Sequence, residues 1–189
     1  MRSGAGLVKA VVQMLLGGIF FFGLPSAYAA EDITVKITGE IYIPPCEINS
    51  GRDINVSFEN MSLYEVDGYK NAKTETITVR CDYYQGTPYV RVTGTQMTGG
   101  GDHVLKTSGA NPSALGIALY QGGSVDTAYP LRIGAGEQGQ FGYKITRGLA
   151  GENTATGQFT FTAVPYKYGS GTLNAGNFSA TATMSISYL

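Results

Sequence analysis

The sequence has little of what metal sites, nucleic-acid binding and long helices require. It contains two cysteines and one histidine in 189 residues, and its 13 Lys and Arg are outnumbered by 14 Asp and Glu. A nucleic-acid-binding protein needs a basic stripe to neutralise phosphates, so the composition argues against a nucleic-acid partner. The 27 glycines argue against long helices, because each glycine costs a helix interior about 1 kcal/mol.

Motifs of catalysis are also scarce. The sequence has no G-x-S-x-G elbow and no P-loop. Residues 134–139 match G-x-G-x-x-G, but residues 140–145 alternate like a strand where a dinucleotide-binding helix should begin. We interpret this match as a hairpin loop. His103 and Asp102 follow three glycines, which predicts a mobile loop instead of the fixed geometry of a hydrolytic dyad.

We therefore predict a protein without catalytic activity, cofactor, metal site or small-molecule substrate. A glycosidase with a carboxylate pair is the enzymatic alternative, because its two acids can lie far apart in the chain. The acidic residues are scattered among polar positions, as in the run Glu65, Val66, Asp67 and Gly68. This scatter favours solvated charge over a catalytic pair.

The first 29 residues have the pattern of a secretory signal. Arg2 and Lys9 supply positive charge, residues 10–24 are almost wholly apolar, and Ala27-Tyr28-Ala29 fits the small-x-small cleavage rule. The mature chain would begin at Ala30 and form one exported domain, because no second apolar run is long enough to span a bilayer.

Cys46 and Cys81 are the only cysteines. In an oxidising compartment two thiols of an exported domain most simply form one disulfide. On the loop-entropy model this bond would disfavour the unfolded chain by roughly 3–4 kcal/mol. Two unpaired buried thiols are the alternative.

From Glu31 onward, short alternating runs between glycine-rich turns predict an antiparallel β sandwich. Residues 115–120 are continuously apolar, which predicts a central strand covered on both faces. The other predicted strands are residues 74–81, residues 89–93, a run through Phe141, Tyr143 and Ile145, and a run through Phe159, Phe161 and Ala163.

The two ends of the chain alternate more regularly than the middle. Near the N-terminus, one face of an extended segment would carry Ile33, Val35, Ile37, Gly39 and Ile41. At the C-terminus, one face would carry Phe178, Ala180, Ala182, Met184, Ile186 and Tyr188. Taken alone, both runs are compatible with ordinary edge strands.

Two features argue against that simple interpretation. Pro44 and Pro45 separate the first run from the body, and prolines supply no ladder donors. The last run contains neither the charge nor the proline that usually protects an edge strand. One free strand and one unprotected edge together predict strand addition between chains.

Several segments and two single residues carry a family resemblance. They are residues 39–46, 97–101, 115–122, 159–166 and the tail to Leu189, with Gly176 fourteenth from the C-terminus and Tyr188 penultimate. Through them the chain resembles the pilins of the chaperone–usher route, and among these the minor adaptor subunit that joins the adhesin to the tip fibre of P pili. The resemblance covers essentially the whole mature chain.

This resemblance implies an incomplete immunoglobulin-like sandwich that lacks its C-terminal, seventh strand and carries an N-terminal donor-strand extension. The implied boundaries are a signal peptide at 1–29, the extension at 30–43 and the pilin domain at 44–189. The implied donor-strand residues are Ile33, Val35, Ile37, Gly39 and Ile41, with Gly39 at a narrow position of a neighbour's groove. The implied groove and chaperone contacts are Gly176, Phe178, Ala180, Ala182, Met184, Ile186, Tyr188 and Leu189.

The resemblance also implies four partners: a periplasmic pilus chaperone, an outer-membrane usher, a tip adhesin and the next fimbrial subunit. The chaperone would fill the groove first and bind the terminal carboxylate of Leu189, and a neighbour's extension would then replace it during export. The protein would pass through the periplasm to a fimbrium on the bacterial surface. The alternatives are a repeating fibre subunit or, in another class, a secreted carbohydrate-binding or hydrolytic sandwich.

Overall fold

The computed structural model describes residues 32–189, and the expected signal peptide lies outside the described residues. The chain divides into two units, Met1–Gly39 and Glu40–Leu189. The described part of the first unit, residues 32–39, is exposed and has no assigned secondary structure. The boundary after residue 43 stays a prediction.

The described residues contain eleven strands, three 3-10 turns and no α-helix. The strands are β1 (Glu47–Ile48), β2 (Lys73–Arg80), β3 (Pro88–Gly94), β4 (Val104–Lys106), β5 (Ser108–Gly109), β6 (Leu115–Gln121), β7 (Tyr143–Lys144), β8 (Leu149–Ala150), β9 (Thr156–Lys167), β10 (Phe178–Ser179) and β11 (Ala182–Tyr188). The 3-10 turns are Asn49–Gly51, Leu63–Glu65 and Gly139–Phe141. No helix in residues 32–189 has the length and apolar character needed to cross a membrane.

The strands of the second unit form two main sheets and one short pair, and all named strand pairs are antiparallel. The larger sheet has the order β1-β2-β9-β6-β4, with β8 also paired to β9. The smaller sheet has the order β11-β3-β7, and β10 pairs with β5. This arrangement confirms the predicted all-β class.

Apolar side chains of both main sheets share one core. We call the following buried set the main core: Cys46, Ile77, Val79, Cys81, Val90, Val92, Leu105, Ile117, Leu119, Leu131, Ile133, Ile145, Phe159, Phe161, Ala163, Ile186 and Tyr188. A second cluster contains Ala118 and Tyr120, which alternate with Ile117 and Leu119 along β6. Every residue of β6 is buried, so the prediction of a strand covered on both faces is confirmed.

Cys46 and Cys81 form the predicted disulfide, with Cα atoms 4.3 Å apart and 35 positions of sequence between them. Both are buried in the main core. The bond joins the start of β1 to the end of β2. The alternative of two unpaired thiols is therefore wrong.

One predicted strand is much shorter than expected. The alternating run through Phe141, Tyr143 and Ile145 contributes only β7. Gly142 has φ 87 and lies against β3, where a Cβ atom would collide with the carbonyl oxygen of Val90. A left-handed glycine interrupts the strand at this point. Residues 134–138 lie outside any strand or helix, and the 3-10 turn Gly139–Phe141 follows them where a dinucleotide-binding α-helix would begin.

The C-terminal run is also not a single strand. Phe178 and Ser179 pair with β5, and the run from Ala182 onward pairs with β3. Ala180 and Thr181 lie between them, exposed and outside any strand. The prediction of one continuous strand from Phe178 to Tyr188 is wrong, because the chain changes its pairing partner in the middle of an unbroken alternating pattern.

His103 lies in a hydrogen-bonded turn, closed by the N–H of Met97 donating to the carbonyl of Val104 at 2.8 Å. Its ring is half-buried, 5.3 Å from the Tyr120 ring between centroids. Burial lowers the pKa of His103 below its ordinary value of 6.5, and the carboxylate of Asp102, whose Oδ1 is 3.7 Å from Nδ1, opposes this effect. The neutral imidazole is therefore the form that folding favours.

We expect the free energy of unfolding to decrease as the pH falls below 6.5, because the unfolded state then binds a proton at His103 more readily than the folded state. Urea unfolding at about pH 7.5 and about pH 5.5 measures this difference. The His103→Gln variant, which has no imidazole, should lose less stability over the same interval. An equal loss in both proteins would contradict the prediction.

Candidate functional site

The C-terminal strand is an edge strand of the smaller sheet. β11 pairs with β3 from Ala182 opposite Gly94 to Tyr188 opposite Pro88. Leu189 continues the ladder by exchanging two backbone bonds with Thr87, of 3.0 and 2.7 Å. On the other side of β11, the described residues supply one backbone bond, from the N–H of Cys46 to the carbonyl of Ile186 at 2.7 Å.

The direction of the free backbone groups follows from the ladder. In an antiparallel pair, successive residues direct their N–H and C=O groups to opposite sides. The carbonyl of Ile186 faces Cys46, so Met184 and Ala182, two and four positions earlier, face the same side. Neither has a backbone partner on that side within residues 32–189. Their donors and acceptors are available to a further strand.

A second extended segment packs against the main core. In residues 54–58, Ile54, Val56 and Phe58 are half-buried against the main core, and the residues between them are exposed. This is the alternation of a strand, yet no backbone hydrogen bond of residues 54–58 is found in the described part of the chain. This segment was not among the predicted strands, although its alternation is visible in the sequence.

Two contacts connect residues 46–58 to the C-terminal run. Cys46 binds Ile186 at one end, and the ring centroids of Phe58 and Phe178 lie 6.2 Å apart at the other. We call the outer side of β11 between these two contacts the open edge. Along it the structure presents unpaired backbone groups beside half-buried apolar side chains.

The structure places the expected groove and contact residues in different environments. Ile186 and Tyr188 are buried in the main core, with 0% and 1% of their surface exposed. Phe178, Met184 and Leu189 are half-buried, and Gly176, Ala180 and Ala182 are exposed. The functional roles of all eight residues stay predictions.

Tyr188 is fixed at the end of the sandwich. Burial raises the pKa of its hydroxyl group, with the backbone N–H of Asn153 acting in the opposite direction and the charge of Glu152 raising it further. The side-chain oxygen Oδ1 of Asn153 also accepts a bond from the N–H of Gly86 at 3.2 Å. The turn that contains Asn153 therefore covers the penultimate residue.

The expected donor-strand residues are exposed. The exposed fractions are 82% for Ile33, 72% for Val35, 89% for Ile37 and 102% for Ile41. A Cβ atom on Gly39 would have no neighbour within 4 Å. A run of exposed aliphatic side chains in one segment is typical of an interaction site, but the donor-strand role stays a prediction.

Within residues 32–189, no group of three or more His, Cys, Asp and Glu side chains is arranged to hold a metal ion. The open edge can form backbone hydrogen bonds and apolar contacts with a partner. A strand added there would pair with Ala182 and Met184 through its backbone and cover apolar side chains.

Comparison with known proteins finds one matching protein family and several relatives of similar length. The family model described as Fimbrial protein matches residues 35–189. The chain is 44% identical to the fimbrial adapter PapF of Escherichia coli, over 87% of this chain and 93% of PapF. It is 42% identical to the minor fimbrial protein PrsF over the same shares, and 31% identical to the fimbrial protein PrsE over 85% of this chain and 87% of PrsE, both from Escherichia coli.

Solved structures agree with these relatives. The structure of the P pilus adaptor subunit PapF matches with a TM-score of 0.53 and 37% identity, covering 79% of this chain and all 100% of that one. The P pilus rod subunit PapA matches with a TM-score of 0.51 and 20% identity, covering 82% and 100%. The PapA match, at 20% identity, bears on the fold alone. Together the two matches confirm the predicted immunoglobulin-like pilin fold.

Two matched substitutions in β11 test which side chains the main core needs. We expect Met184→Asp to lower the free energy of unfolding by about 2–4 kcal/mol, because a carboxylate would replace an apolar group that packs on the core. Thr183 is exposed in the same strand, so we expect Thr183→Asp to change it by about 1 kcal/mol or less. Urea unfolding measures both values, and similar losses in the two variants would contradict this assignment of faces.

Proposed function

This chain belongs to the fimbrial protein family, and from that membership we propose that it is the minor adaptor subunit of a fimbrial tip, which links an adhesin to the tip fibre by strand exchange. The observation that carries the proposal is the open edge of β11 in a chain that also has an exposed aliphatic extension. The identity of 44% to the fimbrial adapter PapF and 42% to the minor fimbrial protein PrsF supports an adaptor. The role is structural, without catalysis.

The open edge receives a strand from two partners in turn. A periplasmic chaperone first supplies its own strand, and the extension of the next subunit then replaces that strand during passage through the outer-membrane usher. Each ladder bond contributes roughly 0.5–1.5 kcal/mol net, against about 1–2 kcal/mol of backbone entropy for each residue that becomes ordered. Backbone pairing alone does not suffice, so apolar contacts must supply the remainder.

The extension supplies such contacts to the adhesin. Burying Ile33, Val35, Ile37 and Ile41 would contribute roughly 1.5–3 kcal/mol for each side chain. Gly39 interrupts this series at the position where the neighbour's groove is narrow. The net free energy of strand addition is favourable only when the receiving groove is already formed, and keeping it formed is the task of the chaperone. After transit through the periplasm, the protein acts at the bacterial surface.

We expect Ile37→Asp to leave the body folded in its chaperone complex but to abolish incorporation beside the adhesin, because a carboxylate would enter an apolar pocket. Lys36→Asp, one position away and on the opposite face of an extended segment, is the matched control and should incorporate nearly normally. Co-purification of the adhesin from assembled fibres measures both. Recovery of adhesin-tipped fibres with Ile37→Asp would show that the extension has another role.

The end of β11 provides a second test. We expect deletion of Tyr188 and Leu189 to prevent recovery of a soluble chaperone complex, because it removes a side chain with 1% exposure from the main core and the two backbone bonds to Thr87. Leu189→Ala keeps those backbone bonds and should still give the complex. Co-expression with the chaperone and affinity purification measure the yield. A normal yield after the deletion would contradict the expected contact at this end.

A further inference from the structure

Asn111 makes an unusual pair of contacts across the fold. Its side-chain Nδ2 donates to the carbonyl of Asn174, and its Oδ1 accepts from the N–H of the same residue, both at 2.8 Å and across 63 positions of sequence. Its own carbonyl accepts from the N–H groups of Ala114 and Leu115, at 2.9 and 2.8 Å. Asn111 therefore ties Asn174 to the turn that leads into the buried strand β6.

The same turn holds the residues that follow Asn174. The N–H of Ala110 donates to the carbonyl of Asn177 at 2.8 Å, and β5 pairs with β10. The hydroxyl oxygens of Ser108 and Ser179 lie 2.9 Å apart. Residues 108–111 thus hold residues 174–179 along their length, and Asn111 supplies both contacts at the N-terminal end of that segment.

This segment contains one end of the open edge. Phe178 contacts Phe58 and packs on the main core. After Ser179 the chain passes through Ala180 and Thr181, which are exposed and outside any strand, before β11 begins. The ladder between β11 and β3 therefore does not fix the position of Phe178, which depends on the contacts of residues 108–111 and on packing against Phe58 and the main core.

We infer that Asn111 is a positioning residue for strand exchange, whose side-chain amide holds the Phe178 end of the open edge in the place that an incoming strand requires. The inference rests on the proposed function, since it concerns the same edge. A binding site that is already ordered spares the ligand the cost of ordering it. Without the amide, residues 173–179 lose two contacts, and the incoming strand has to order them.

The backbone of Asn111 makes a clean variant possible. Asn111 has φ 61, a left-handed conformation that glycine adopts without strain. Asn111→Gly therefore removes the amide and leaves the backbone relaxed. The matched control is Asn71→Gly: Asn71 also has a left-handed φ of 59, but its side chain reaches only the carbonyl of Glu65, at 3.5 Å.

Hydrogen exchange tests the contact itself. In the full-length chaperone complex, we expect Asn111→Gly to speed amide exchange in residues 173–179 about tenfold and to leave β3 unchanged. Asn71→Gly should not alter residues 173–179. Mass spectrometry of peptic fragments gives both values. Unchanged exchange in residues 173–179 of Asn111→Gly would overturn the inference.

Strand exchange tests the consequence. The probe is a synthetic peptide with the sequence of the N-terminal extension of the next fimbrial subunit, and its displacement of the chaperone is followed with time. We expect this rate to fall about tenfold in Asn111→Gly and to stay near the wild-type value in Asn71→Gly. Two further peptides are shortened by about three residues, one at each end. The decrease in displacement rate caused by Asn111→Gly should disappear only with the peptide that no longer reaches Phe178.

The outcomes separate the two proposals. Equal displacement rates in wild type and Asn111→Gly would overturn the positioning role, and a decrease that persists with both shortened peptides would replace it with general destabilisation. If the wild-type complex releases its chaperone to none of these peptides, the proposed function of the edge fails and the positioning role falls with it. Hydrogen exchange still reports in that case whether Asn111 orders residues 173–179.

Discussion

Backbone N–H and C=O groups need hydrogen-bonding partners, and β11 satisfies this requirement on one side only. β3 pairs with its inner side along the whole strand, and Cys46 supplies a single bond at its outer side. Ala182 and Met184 therefore direct their polar groups to the open edge. Segment 54–58 and the C-terminal run also carry apolar side chains that pack on the main core but stay only half-buried. One further strand on the outer side of β11 would supply the missing backbone partners.

The strand that carries the open edge is also part of the main core. Ile186 and Tyr188 are buried among the side chains of both sheets. Proteins usually protect an exposed edge with charge, proline or a bulge, but a charge directed inward along β11 would enter the core. Packing explains the absence of charge at the core-facing positions of β11 but not at exposed positions such as Thr183. A strand from another chain can cover such an edge without changing the core-facing residues of β11.

The sequence predicts those parts of the fold whose burial is uniform along a strand. β6 was predictable from its continuous apolar run, which reports burial directly. β9 was predictable only in part from the alternation of Phe159, Phe161 and Ala163, because Thr162 between them is also buried. The break at Ala180 and Thr181 was not predictable, since the alternation continues while the partner changes from β5 to β3. The contacts of Asn111 were also invisible, because they join a side chain to the backbone 63 positions away. For the site, family resemblance suggested candidate residues whose roles stay predictions, and only the structure shows which of them are buried and which side of β11 is free.

The position of the disulfide has a mechanical consequence. Cys46 lies just after the two prolines that follow the extension, and it has three attachments to the body: the covalent bond to Cys81, the backbone bond to Ile186 and the adjoining β1 ladder with β2. A tension applied along the extension is therefore transferred at Cys46 to both sheets at once. Residues 47–80 lie within the loop that the disulfide closes, so this part of the chain is shielded from stretching as long as the sulfur–sulfur bond is intact. Such a subunit would transmit a pulling force from one neighbour to the next through its core.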